Sequence, residues 1–177
     1  MNYGEIKYCD IANGNGVRVS LFVSGCSHHC KDCFNPETWD YNYGKPFTRD
    51  TWEEIFNGTK SFVNGLTLLG GDPCEPDNQR ALLPFLKEYK RRFPTKDIWC
   101  YTGYTYEQMI GESRANIECT DEFLSLIDYL VDGPFVAGLK NIGLIFRGSS
   151  NQRIIDMKQT LSQNEIIQWE GIKRDRT

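Results

Sequence analysis

The chain has 177 residues, 40% of them apolar and 25% charged, with a formal net charge of −4. This is ordinary globular composition, and the length fits one domain that buries a core without disulfide staples. The balance gives no basic footprint for nucleic acid or an acidic membrane, and no run approaches the ~18 apolar residues of a membrane span.

The start, Met1-Asn-Tyr-Gly-Glu5, lacks a basic segment followed by an apolar one, so no secretion signal is expected. The basic end, Lys173-Arg174-Asp175-Arg176, reads as a solvated tail. Seven cysteines, three clustered and four scattered, are no disulfide framework. Thiols of this kind belong in a reducing cytoplasm.

In chain order, Ile6–Ile11 is expected to pair with the apolar run Val17–Val23 through the turn Asn13-Gly-Asn-Gly16. Asp50-Thr-Trp-Glu53 resembles a capping box opening a helix to about Lys60. A strand at Leu66–Leu69 precedes a longer helix from Asp77 to Arg92, with Leu82, Leu83, Leu86 and Tyr89 on one face and Pro94 beyond its end. Ile98–Tyr101 reads as a strand, Thr105-Tyr-Glu-Gln108 as a second capping box and Asp121–Leu126 as a short helix. Tyr129–Val131 and Leu144–Phe146 are the last candidate strands. Glu165–Trp169 suits strand or helix.

Strands alternating with helices predict an α/β fold around a mostly parallel sheet. A closed eight-unit barrel needs roughly 250 residues, so the expectation is an open partial barrel of five or six units. One domain, 1–177, is expected, with 153–177 as a C-terminal extension. Sites on parallel sheets lie at the carboxyl ends of the strands. The cysteine loop, Gly70–Pro73, Thr102–Tyr104, Asp132–Pro134 and Arg147–Ser150 all follow candidate strands and should share one rim.

The cysteine loop is Cys26-Ser-His-His-Cys30-Lys-Asp-Cys33. Thiolates suit zinc or iron–sulfur clusters. Structural zinc takes four protein ligands, and His28 or His29 is the available fourth, although both sit inside a tight loop. A cubane cluster usually takes four cysteines; three leave one iron open to a substrate. The spacing favours iron–sulfur over zinc. Gly70-Gly71-Asp72-Pro73 is good turn chemistry, and on the same rim its glycines permit close approach of backbone to a ligand. His28 and His29 are expected to face solvent. Cys9, Cys100 and Cys119 are expected to be small buried residues. Cys74, beside the glycine motif, is either a bystander or a fourth ligand in a simple electron carrier. Trp39, Tyr41, Tyr43 and Phe47 read as core packing, with a partner-docking surface as the alternative.

These motifs are similar to those of the radical S-adenosylmethionine superfamily, whose cluster motif matches Cys26, Cys30 and Cys33 and whose methionine-binding motif resembles Gly70–Pro73. More narrowly, the chain resembles the activases of anaerobic ribonucleoside-triphosphate reductase. The matching stretches are Asp10–Arg18, Leu21–Cys26, Cys33–Trp39, Leu69–Pro73, Asp97–Trp99 with Tyr101–Tyr104, Val131–Phe135 and Phe146–Gln152. Two positions depart from the superfamily pattern: Asp32 stands where many members place an aromatic residue, which here follows as Phe34, and Asp72 stands where Glu is commoner.

The resemblance implies that Cys26, Cys30 and Cys33 hold three irons of a [4Fe–4S] cluster and that the fourth binds S-adenosylmethionine. Reductive cleavage to a 5′-deoxyadenosyl radical is implied, followed by hydrogen abstraction from a glycine of the reductase large subunit. A reducing flavoprotein is the implied electron donor. Backbone at Asp32, Cys33 and Phe34 is implied to line the nucleoside side, and Gly70, Gly71 and Asp72 the methionine end. Thr102, Asp132 and Arg147 are further cofactor candidates, Arg147 because guanidinium suits a carboxylate. The alternatives are an activase of another glycyl-radical enzyme and a zinc-stabilised interaction module.

Overall fold

A computed structural model describes residues 1–171; the basic end at 173–176 lies outside the described residues. Its strands are β1 (Asn2–Asp10), β2 (Arg18–Val23), β3 (Lys45–Pro46), β4 (Gly65–Gly70), β5 (Asp97–Tyr101), β6 (Tyr129–Asp132) and β7 (Arg153–Asp156). Its helices are α1 (Arg49–Gly58), α2 (Pro76–Arg92), α3 (Tyr106–Ile110), α4 (Thr120–Leu126) and α5 (Met157–Gln163). The seven strands form one open sheet in the order β3-β1-β2-β4-β5-β6-β7. β2, β4, β5 and β6 run parallel, whereas β1 and β7 are antiparallel to their neighbours. Among the described residues, no helix is long and apolar enough to cross a membrane.

Side chains alternate across each strand, and the two faces meet different partners. Val19, Leu21, Leu66, Leu68, Ile98, Cys100 and Leu130 pack with Ile55 and Phe56 of α1, Leu82, Phe85, Leu86 and Tyr89 of α2, and Phe123 of α4. Each such buried side chain contributes about 1.5–3 kcal/mol. The opposite face carries a smaller cluster of Trp99, Val131 and Ile154, with Tyr101, Tyr129, Phe146 and Trp169 against it and no helical residue. The helices thus cover one face and leave the other free to form a cleft.

Arg18 starts β2 on that second face and is fully buried. It donates to Thr67 Oγ1 at 2.6 Å, Asn15 O at 2.9 Å, Leu66 O at 2.8 Å and Asp97 Oδ1 at 2.5 Å. Thr67 Oγ1 in turn donates to Asn13 O at 2.7 Å. The expected hairpin therefore forms, and its Asn13–Gly16 turn is clamped at the amino ends of the strands.

Some elements differ from expectation. The box opening α1 is Thr48 with Thr51, two residues before the Asp50–Glu53 box that the spacing suggested. Leu144–Phe146 is not a strand; Phe146 sits at φ 55, a left-handed conformation that breaks an extended run, and its ring packs 5.3 Å from Trp99. β7 takes the edge position instead, from the tail that carried no motif. Glu165–Trp169 forms neither helix nor a named strand, only a bridge from Gln168 to Ile155. Cys9 is exposed and Cys119 partly so, while Cys100 is buried as expected.

Candidate functional site

A cleft of about 510 Å³ opens on the helix-free face. Its walls include Cys26, Cys30 and Cys33, then Gly70–Asp72, Thr102 and Gly103, Gly133, and Arg147 with Gly148. All five expected loops therefore contribute, although the last follows no strand. Its floor is a transverse row, since Phe22 is in register with Leu69 and Tyr101 with Val131; Phe22, Leu69 and Tyr101 face the cleft.

The glycine motif fits because backbone crosses backbone there. Gly71 N donates to Val23 O at 2.7 Å and Asp72 N to Gly25 O at 2.8 Å. A Cβ on Gly71 would lie 2.6 Å from Gly25 O, and Gly70 holds φ +106. The glycines thus dock their own loop against the cysteine loop as well as lining the cleft. Asn78 of α2 ties the same junction, donating to Ser24 O at 3.0 Å and Asp72 O at 2.8 Å.

Asp72 is 1% exposed, and its carboxylate is fully engaged. Oδ1 accepts from Cys74 N at 2.8 Å. Oδ2 accepts from Thr102 Oγ1 at 3.0 Å, Gly103 N at 2.9 Å and His28 Nε2 at 2.9 Å. Thr102 therefore reaches the site through Asp72. His28, expected to face solvent, is turned inward by this carboxylate, while His29 is exposed. Burial alone lowers the His28 pKa, but the Asp72 hydrogen bond and the charges of Asp72 and Glu75 raise it overall.

Cys26 is buried, and its thiol is pushed up to about 12, first by burial and then by the charges of Asp72 and Glu75. Burial also raises Cys30. Asn35 N donates to Cys33 Sγ at 3.4 Å. All three cysteines are free thiols on one loop. Among the described residues, no three His, Cys, Asp or Glu side chains gather as the ligand set of a single metal ion. Three free thiols without a fourth cysteine on the loop are a donor set that suits an iron–sulfur cluster with one open iron.

Tyr101 and Arg147 line the cleft, and each carries a buried polar atom without a partner, Tyr101 Oη and Arg147 Nε. Arg147 spends only Nη1, on Gln152 O at 3.0 Å. Unpaired groups of this kind ask for a ligand. Phe34 is 76% exposed at the mouth, 6.5 Å from the Phe135 ring. Asp32, in a left-handed turn at φ 61, shapes the loop without lining the cleft. Asp132 lies behind the wall, where it accepts from Arg153 Nε at 3.0 Å and Tyr106 N at 2.8 Å. Cys74 is fully buried on the helix-covered face, with Sγ 3.9 Å from Cys100 Sγ, and does not line the cleft. Of the aromatic stretch, Phe47 joins the core, Trp39 lines the cleft and Tyr41 donates to Glu75 at 2.8 Å. Glu75 and Asn78 were missed by motif reasoning; the only signal was position, each lying within a few residues of a matched stretch, whereas Tyr101 lies inside one but was not singled out as a site residue.

The family described as "4Fe-4S single cluster domain" matches residues 12–155. The chain is 43% identical over 155 residues to the anaerobic ribonucleoside-triphosphate reductase-activating protein of Escherichia coli K12, covering 86% of this chain and 96% of that one. The same-named protein of Haemophilus influenzae is 41% identical over 157 residues, 87% of this chain and 97% of its own length. That of Enterobacteria phage T4 is 41% identical over 155 residues, at 87% and 93%. The chain belongs to the family of anaerobic ribonucleoside-triphosphate reductase-activating proteins.

Proposed function

We propose that this protein activates an anaerobic ribonucleoside-triphosphate reductase as a radical S-adenosylmethionine enzyme. The observation that carries the reading is three free thiols on one loop in the wall of a cleft that Gly70, Gly71, Tyr101 and Arg147 also line. Cys26, Cys30 and Cys33 would hold three irons of a [4Fe–4S] cluster and leave the fourth for S-adenosylmethionine. The reduced cluster would supply the one electron needed for reductive cleavage of S-adenosylmethionine to methionine and a 5′-deoxyadenosyl radical, and a glycine of the reductase large subunit would give up its hydrogen to that radical.

The chain's own residues orient and shield. Gly70, Gly71 and Asp72 carry the methionine end, with Asp72 acting by fixing Thr102, Gly103 and His28 around it. Cys33 and Phe34 border the nucleoside side, and Asp32 shapes the turn that carries them. Arg147 offers Nε to the cofactor carboxylate, and Asp132 steadies Gly133 through Arg153 and the Tyr106 amide. The reading takes 1–177 as one domain, an open partial (β/α) barrel of the cytoplasm served by a reduced flavoprotein.

Anaerobic reconstitution with iron and sulfide, followed by addition of S-adenosylmethionine and the reductase, should give 5′-deoxyadenosine and a glycyl-radical resonance signal. Cofactor cleavage without that signal points to another glycyl-radical partner. Zinc bound in place of iron and sulfide would end the reading.

A further inference from the structure

Glu75 is the residue before α2 and is completely buried, yet it keeps its charge: donors on every side lower its pKa against the pull of burial. It accepts from Ser27 N at 2.9 Å and Ser27 Oγ at 2.5 Å, from Tyr41 Oη at 2.8 Å and from Tyr104 Oη at 3.2 Å. Among the described residues its ionic partner is Arg114, at 3.0 Å. Ser27 directly follows Cys26, so a buried negative charge is fastened to the loop that carries the thiols. Arg114 is 57% exposed, so water screens its compensating charge more than it screens Glu75.

We infer that Glu75 and Arg114 set the reduction potential of the cluster bound by the neighbouring cysteines, Glu75 making it a stronger reductant and Arg114 moderating it. The inference rests on the cluster reading above. The potential of such a cluster follows net charge, hydrogen bonding and solvent exposure around it. A fixed anion in a water-poor setting raises the cost of adding an electron. A cluster harder to reduce gives up its electron more readily to a sulfonium. Glu75 is therefore a positioning and tuning residue; it acts through Ser27 and Cys26, outside the cleft lining.

The test is a redox titration, followed by paramagnetic resonance, of the full chain reconstituted anaerobically with iron and sulfide. Glu75→Gln keeps the shape and removes the charge; its midpoint potential should move positive. Arg114→Gln removes the screened cation; its potential should move negative, by less. Opposite signs are what a merely structural role does not produce. Potentials that stay at the wild-type value, or that move in the same direction, overturn the inference. If Glu75→Gln holds no cluster, Arg114→Gln decides alone: a negative shift supports the inference, and no shift or a positive one overturns it. A wild-type chain that takes up no iron and sulfide overturns the cluster reading itself, and this inference with it.

Discussion

His28 Nε2 lies 2.9 Å from Asp72 Oδ2, and this contact latches the cysteine loop to the glycine motif. It depends on Gly103, where an added Cβ would lie 2.5 Å from the His28 ring. A ring at the end of a side chain can swing away, whereas the carbonyl 2.6 Å from a Cβ on Gly71 belongs to the Gly25 backbone and cannot. Gly71→Ala should therefore lower iron and sulfide uptake strongly and Gly103→Ala mildly. Gly138→Ala, with nothing within 4 Å of the new atom, is the control. Iron and sulfide per chain after anaerobic reconstitution are the readout; wild-type uptake by Gly71→Ala would contradict the docking role of that glycine.

Cys74 separates a radical enzyme from an electron carrier. Its sulfur is packed against Cys100 under the helices, with the sheet between it and the cleft. Cys74→Ala should keep the full cluster and lose about 1–3 kcal/mol of stability as a core truncation. Loss of iron at unchanged melting temperature would mean that the sulfur is a ligand after all.

Arg18 is held by two carbonyls, a hydroxyl and Asp97 with no access to water. Arg18→Met removes the cation and leaves those acceptors to be satisfied elsewhere. Breaking a buried pair from one side costs about 3–5 kcal/mol, and Asp97 recovers part of that because it is 32% exposed. A chain of this size loses about 2–4 °C per kcal/mol, so the full cost corresponds to roughly 6–20 °C, and the recovery by Asp97 puts the expected fall in the lower half of that range. A fall of less than about 2 °C would show that the clamp contributes little.

Much of this was legible in the residues. Strands β2, β4, β5 and β6 announced themselves as apolar runs ending in turn chemistry, and the cysteine spacing marked a loop that lines the candidate cleft. Leu144–Phe146 misled because a three-residue apolar run has no period to separate strand from packing loop. β7 was hidden because its partner β6 is distant in sequence and its pairing needs no local signal. His28 could not be read from the loop, because its direction is set by Asp72, forty-four positions away. Glu75 looked like an ordinary helix-start acid; only the folded chain shows four donor residues closing around it.

Asp10 predicts how the hairpin turn responds to acid. Burial raises its pKa, but bonds from Ser20 Oγ at 2.6 Å, Asn13 Nδ2 at 2.7 Å and Ala12 N at 2.9 Å outweigh burial and lower it overall. A depressed folded pKa means the contribution is complete above the unfolded value of about 3.9 and is lost as pH falls through the folded value. Asp10→Asn should melt below wild type at pH 7, and the gap should narrow once pH drops below about 4. Melting temperatures across that range check the sign; a gap that widens toward acid would refute the assignment.

Tyr101 lies on the floor of the cleft and carries an unpaired phenol. Among the described residues, four buried side-chain polar atoms have no partner, and the two on Tyr89 and Trp99 lie away from the cleft lining. Burial raises the Tyr101 pKa, so its phenol stays protonated and able to donate. An unpaired hydroxyl contributes nothing to folding, so Tyr101→Phe should melt at or slightly above wild type without ligand. One neutral hydrogen bond is worth about 0.5–1.5 kcal/mol, so the same substitution should weaken S-adenosylmethionine binding by about 2- to 10-fold. Arg147→Met removes a charged donor worth about 1.5–3 kcal/mol and should weaken binding by about 10- to 150-fold. Equilibrium binding to the anaerobically reconstituted protein reads both. Equal affinity in wild type and Tyr101→Phe would show that the phenol makes no contact with the cofactor.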